Sequence, residues 1–269
     1  MFNKLTIASS ALISTSMAAN TEAWKERAVY QVLTDRFYKD GAGGACGDLK
    51  GYCGGTWNGI AEKLDYIQGM GFDAIWISPV VDNMEGGYHG YWARNWEKRN
   101  ENFGSDDDLK NLVKACHDRG MYVMVDVVAN HAAPIGDDFS QIYPLNHSEH
   151  YHSDCDINDW GNQWQVENCR LAGLPDLNQD NDYVRGYLKD WIKNLVSEFE
   201  FDGIRIDTIP EVPKDFWSEY GEAAGVFQMG ENFNGDPAYV GPYQDHVTGL
   251  FNYPMYYTIK DVFGSKKSM

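Results

Sequence analysis

The feature that most limits what this chain can fold into is a repeating unit, a short β-rich run followed by a helical pattern. Candidate strands lie at Ala28–Leu33, Phe72–Ser78, Met121–Val128, Gly203–Ile206, Val226–Met229 and Gly249–Asn252. Candidate helices fill the gaps, around Ile60–Met70, from an N-cap at Ser105 with Asp108 three residues on, and around Lys214–Ala224. The clearest of them sets Val184, Tyr187, Leu188, Trp191, Ile192, Leu195, Val196 and Phe199 at helical spacing over four turns. Such alternation, with right-handed crossovers, builds a parallel sheet covered by helices. Either a (β/α)8 barrel or an open doubly wound sheet satisfies it.

Charge narrows the partners. Asp and Glu number 40 against 22 Lys and Arg, a formal net charge of −18. A phosphate backbone or an anionic membrane surface would be repelled, so neither nucleic acid nor membrane is expected as a partner. Aromatic residues reach 14%, and flat rings with a polar handle suit sugar faces as well as a core. Residues 1–19 read as a secretory leader: Lys4, then an apolar and small-residue stretch from Leu5 to Met17, then a small-residue cleavage zone at Met17-Ala18-Ala19. The mature chain is expected to start near Asn20 and to be secreted.

Five cysteines then meet an oxidising compartment. Cys46 and Cys53 flank one glycine-rich turn, and Cys155 and Cys169 flank another stretch without periodicity, so two local bridges are the economical pairing. Four cysteines allow three pairings, and the sequence does not choose among them. Cys116 shares a helical stripe with Leu109, Leu112 and Val113 and reads as a buried free thiol.

Polar clusters recur where the candidate strands end: Asp126 to His131, Arg205 with Asp207, and Glu231. In a barrel the C-terminal strand ends converge on one face, so residues far apart in sequence meet in one pocket. Asp207 and Glu231 would stand on neighbouring strands, with Arg205 two residues before Asp207 on the same face. A carboxylate pair of this kind suits glycosidic bond cleavage, one ionised and attacking, the other protonated and donating to the leaving oxygen. Arg205 favours ionised Asp207, and weaker charge support beside Met229 and Phe233 favours a raised value for Glu231.

Three segments give these residues a context. Asp126-Val127-Val128-Ala129-Asn130-His131, Gly203-Ile204-Arg205-Ile206-Asp207-Thr208 and Gly230-Glu231-Asn232 resemble, in order and spacing, signatures of secreted alpha-amylases. Gly87-Tyr88-His89-Gly90-Tyr91-Trp92 is similar to the sugar-binding stretch of the fungal type. The resemblance covers nearly all of the chain after the leader, both cysteine pairs included. It implies an α/β fold of the (β/α)8 TIM-barrel type and hydrolysis of internal α-1,4 bonds of starch and glycogen with retention; a monomer is expected, although nothing in the sequence fixes the oligomeric state. It also implies Asp207 as nucleophile, Glu231 as acid and then base, and Arg205 as the group that polarises Asp207. His89, Tyr91, Trp92 and His131 are placed around an α-glucan. A calcium ion is implied between the barrel and an inserted subdomain, on Asn130, Glu167, Asp176 and the backbone carbonyl of Glu211; hard oxygen donors suit Ca²⁺.

The same resemblance divides the chain into a first barrel part at 20–130, an inserted calcium-binding subdomain after the third strand at 131–177, and a second barrel part at 178–269. Two departures stand out. Pro210-Glu211 occupies the place where the family commonly has Lys-His, so a positive donor on the leaving-group side is missing. A Phe-Val-Glu-Asn-His-Asp type segment carrying a third catalytic acid has no counterpart before Met269. A barrel incomplete at its C-terminus, with about six strands, is therefore expected, since a whole one takes ~250 residues without insertions. The alternative expectation is an amylase-like protein that binds α-glucans without turning them over.

Overall fold

The computed structural model describes residues 21–39 and 46–264, so the expected leader lies outside the described residues. Eight strands follow in chain order: β1 (Val29–Val32), β2 (Ala74–Ile77), β3 (Val81–Asn83), β4 (Ala93–Arg99), β5 (Tyr122–Val127), β6 (Gly203–Ile206), β7 (Phe227–Gly230) and β8 (Gly249–Leu250). Six of them form one parallel sheet in the order β1-β2-β5-β6-β7-β8, and β3 and β4 form a separate antiparallel hairpin. The six expected strands are thus the six of the main sheet. They curl into an incomplete TIM-type barrel.

Alternation along the strands separates two cores. Ile75, Ile77, Val123, Val125, Val127, Ile204 and Ile206 face the helices, and meet Leu109, Leu112 and Val113 of helix Asp106–His117 and Val184, Leu188 and Ile192 of helix Asp182–Phe199. The intervening Ala74, Met124 and Phe227 face inward and pack with Trp24. Trp24 stacks on Phe227 at 5.4 Å and donates its indole N–H to the Asp202 carbonyl at 3.0 Å. Gly203 permits this closure, because a Cβ there would lie 2.9 Å from the Trp24 ring.

Local signals set the helix ends. Ser105 and Asp108 form the reciprocal capping box that their spacing predicts, and Asn181 accepts the N–H groups of Tyr183 and Val184. The helix expected around Ile60–Met70 is instead two, Trp57–Glu62 and Leu64–Gly69, broken at Lys63 (φ −106, ψ 9). Ile60, Leu64 and Ile67 all point into the core, so their spacing reads through the kink. The β3–β4 hairpin escapes sequence reading for a related reason. Its register shifts at Val81/Asp82 and again at Asp82/Asn83, which spoils the two-residue period.

The region after β5 is ordered by short contacts rather than long elements. Bridges His131↔Asp176, Tyr151↔Leu177 and Asp156↔Arg170 fold it back on itself. The bridge Asn95↔Tyr143 and the bond from Ala133 N to Ala93 O join it to β4, so the hairpin packs onto this region too. Cys46–Cys53 and Cys155–Cys169 are the two disulfides, the local pairing. Cys116 is free and buried, and burial pushes its thiol up to about 12. Among the described residues no helix is long and apolar enough to cross a membrane.

Two substitutions separate core from cap. Leu188→Ala, at a fully buried position, should lower unfolding free energy by about 2–5 kcal/mol, and Ser105→Ala by about 1 kcal/mol. Urea denaturation monitored by tryptophan fluorescence checks both, and equal losses would contradict the assignment.

Candidate active site

The sheet register builds the site. Asp126 lies opposite Arg205 across β5 and β6, and Ile206 lies opposite Gly230 across β6 and β7, so Asp207 and Glu231 leave adjacent strand ends side by side. The backbone carries this pairing one step beyond the strands: Asp207 N donates to Val127 O at 3.0 Å and Glu231 N to Ile206 O at 2.9 Å.

Arg205 sits at the centre and is almost fully buried. Its Nη1 meets Asp126 Oδ1 at 2.9 Å and Asp207 Oδ1 at 2.7 Å, while Nη2 meets Glu231 Oε2 at 2.8 Å. One guanidinium therefore holds three carboxylates. Burial works against the Arg205 charge, but Asp126, Asp207 and Glu231 outweigh it and raise its affinity for the proton. Burial pushes Asp126 up to about 7 against the pull of Arg205. Glu231 is raised by burial as well, opposed by Arg205 and reinforced by the charge of Asp207. The charge support expected to be weak at Glu231 is in fact a direct ion pair, because the side chain of Arg205 spans both strand ends.

Thr208 adds a donor. Its backbone is left-handed (φ 48, ψ 53), a conformation a β-branched residue rarely adopts, and its N–H donates to Glu231 Oε2 at 3.2 Å. The Tyr253 hydroxyl lies 3.5 Å from Glu231 Oε1. Glu231 borders two cavities. One, of about 370 Å³, is lined with Trp160, Thr208, Phe233 and Tyr239; the other, of about 390 Å³, with Trp76, Tyr91, Phe251 and Tyr253.

Tyr91 joins the cluster through its hydroxyl, which donates to Asp126 Oδ2 at 2.7 Å. Burial, with the Asp126 charge beside it, raises the Tyr91 hydroxyl above its ordinary range. His89 stacks on Tyr91 at 5.7 Å and meets Trp92 edge-on at 4.8 Å, and its Nδ1 accepts the Tyr91 N–H. Burial lowers the His89 ring. His131 lies behind, with Nε2 3.1 Å from the Tyr91 carbonyl oxygen and Nδ1 3.2 Å from Asn130. Both of its nitrogens are engaged within the protein.

Asp126 and Trp76 are the members that sequence reading did not single out. Asp126 takes Arg205, Tyr91 and the Trp76 indole N–H at 3.0 Å. Its signal was available, since it opens the Asp126–His131 segment; what was missing was the register that sets it against Arg205.

The expected metal residues divide. One end of the Asn130 amide lies 3.1 Å from Asp176 Oδ1 and 3.1 Å from the Glu211 carbonyl oxygen, and the other faces His131 Nδ1. His131 decides which end is which. Burial lowers its ring to about 4, so it is neutral with one N–H. That N–H belongs on Nε2, facing the Tyr91 carbonyl, so Nδ1 accepts and Asn130 must offer it the NH₂ group. The Asn130 oxygen then points at a carboxylate and a carbonyl. Three converging oxygens of this kind fit a hard cation. Asp176 is pushed up to about 7 by burial, and its other oxygen lies 2.7 Å from His152 Nδ1. Glu167 stands on helix Gln163–Asn168, where Gln163 Nε2 bridges Glu167 Oε1 at 2.7 Å and Pro210 O at 3.0 Å. Its helix thus touches the turn that presents Glu211.

This fold and this cluster define a barrel-type glycoside hydrolase domain. The family model described as alpha amylase, catalytic domain, matches residues 31–268. Alpha-amylase 1 of Lipomyces kononenkoae is 44% identical over 94% of this chain and 43% of its own length, and the alpha-amylase of Saccharomycopsis fibuligera is 41% identical over 93% and 54%. The structure of an alpha-amylase from Malbranchea cinnamomea superposes with a TM-score of 0.88 at 42% identity, over 91% of this chain and 55% of that one. An alpha-amylase from Geobacillus thermoleovorans, complexed with acarbose, gives 0.82 at 39%, over 88% and 54%. The chain belongs to the alpha-amylase family. It spans about half the length of these relatives.

Arg205→Met leaves buried Asp126 and Asp207 and partly buried Glu231 without their shared cation, and should cost about 3–5 kcal/mol at pH 8. The loss should shrink toward pH 5. A carboxyl whose folded value is raised keeps its proton where the unfolded chain has released it, so native stability falls as pH climbs through that window. Urea unfolding of both proteins across this range checks the sign; a pH-independent loss would contradict it.

Proposed function

We propose that this chain carries the cleft of an endo-acting alpha-amylase, cleaving internal α-1,4 bonds of starch and glycogen with retention. One observation supports this most directly: Arg205 grips Asp207 and Glu231 at adjacent strand ends. Asp207 attacks the anomeric carbon and forms an ester bond, while Glu231 gives its proton to the departing glycosidic oxygen. Ionised Glu231 then takes a proton from water, the water oxygen bonds to the anomeric carbon, and the ester to Asp207 breaks. Arg205 Nη1 holds Asp207 Oδ1 at 2.7 Å for the first step. Burial keeps a proton on Glu231 more readily than on an ordinary glutamate.

Tyr91, Trp92 and His89 would receive the sugar on the Tyr91 side of Glu231, and His131 would fix Tyr91 through its carbonyl. Asn130, Asp176 and the Glu211 carbonyl, with Glu167 from the neighbouring helix, would hold Ca²⁺. Such an ion would tie the 131–177 subdomain to the loops after β5 and β6 and so brace the cleft. The disulfides and the leader-like N-terminus support secretion, and the protein would act as a monomer on its α-glucan.

Asp207→Asn and Glu231→Gln should each lower reducing-end release from soluble starch by about 10²–10⁴, with maltoheptaose affinity by calorimetry changed only a few-fold. Turnover within tenfold of the parent would remove the role assignment. Binding without turnover by the parent protein would make it the glucan-binding form instead.

Chelator treatment should lower the melting temperature, and added Ca²⁺ should restore it as its concentration rises above the dissociation constant. Asn130→Ala should abolish that response; a melting temperature indifferent to verified metal removal would discard the ion.

A further inference from the structure

We infer that Asn146 is a site of N-linked glycosylation. The triplet Asn146-His147-Ser148 is the one Asn-X-Ser/Thr sequence in the 269 residues, and the middle residue is not proline. An acceptor asparagine must stand in an exposed loop of a protein that passes through the secretory route. Residues 146–149 are all exposed, between buried Leu145 and His150.

The loop is held at its base and open at its crown. The Tyr151 hydroxyl donates to the Leu145 carbonyl at 2.7 Å, and Asn181 Nδ2 donates to the Glu149 carbonyl at 3.0 Å. His147 has extended backbone (φ −116, ψ 146), which presents Asn146 and Ser148 as a short extended segment. Residues 146–149 line neither cavity beside Glu231. A glycan here leaves the cleft open.

The chemistry uses a lipid-diphosphate-linked oligosaccharide as donor. Asn146 Nδ2 loses one proton and bonds to the anomeric carbon of the oligosaccharide. The bond from that carbon to the diphosphate oxygen breaks, and lipid diphosphate leaves. No redox change occurs. Two local disulfides, formed in the same oxidising compartment, are the independent sign that the chain meets that machinery.

The test is secretion of the full chain from a yeast host, under its own leader and in parallel under a heterologous one, followed by intact mass. The tryptic peptide Gly120–Arg170 is then analysed after peptide N-glycosidase treatment in ¹⁸O water. Parent protein and Ser148→Thr should carry a core oligosaccharide, and treatment should leave an ¹⁸O-labelled aspartate at 146. Asn146→Gln and Ser148→Ala should lack the added mass, with maltoheptaose affinity unchanged. Secreted parent protein with unmodified Asn146 under both leaders would overturn the inference, as would a glycan that survives Asn146→Gln. Retention in the cytosol under the native leader alone would count against the secretion reading and not against this one.

Discussion

Everything at the catalytic face hangs on the burial of one guanidinium among three acids. Arg205 is held on the central strand of three, and its two terminal nitrogens reach Asp126 on one side and Glu231 on the other, with Asp207 on its own strand. Three carboxylates this close repel one another strongly, and a single cation tolerates them by pairing with each, through hydrogen bonds to Asp126 and Asp207 and an ion pair to Glu231. Burial keeps protons close, reinforced by the charge of Asp207 and opposed by Arg205: Asp126 and Glu231 are both raised.

A second tie joins this cluster to the rest of the molecule. Asp126 takes the Tyr91 hydroxyl, His131 takes the Tyr91 carbonyl, and Asn130 takes the other nitrogen of His131. The chain of contacts thus runs from Arg205 to Asn130, Asp176 and the Glu211 carbonyl. A single neutral histidine links the two through its tautomer, since its one proton fixes which end of Asn130 turns outward.

How much of this was legible in the sequence varies with the range of the interaction responsible. The capping box at Ser105 and the long helix through Val184 to Phe199 depend on neighbours within one or two turns, and both stand where the pattern put them. The break at Lys63 and the β3–β4 hairpin were hidden, because a kink that keeps its apolar side chains inward, and a strand pair with shifted register, leave no periodic trace. In the site, Asp207, Glu231 and Arg205 were visible as strand-end residues. Asp126 was visible there too, as the first residue of its segment, but its pairing with Arg205 was not, since that depends on the register between β5 and β6.

The sequence by itself determined the parallel sheet of alternating units, the acids and arginine at its strand ends, and the family to which those segments belong, because periodicity, capping and motif spacing are short-range properties. Tertiary structure alone decided that Arg205 pairs with Glu231 as well as Asp207, that Asp126 completes the cluster, and that the Asn130 amide stands between His131, Asp176 and the Glu211 carbonyl. Those outcomes depend on sheet register and on hydrogen bonds across long separations, and on what burial does to a charge once water is removed. None of these is written in the order of the residues.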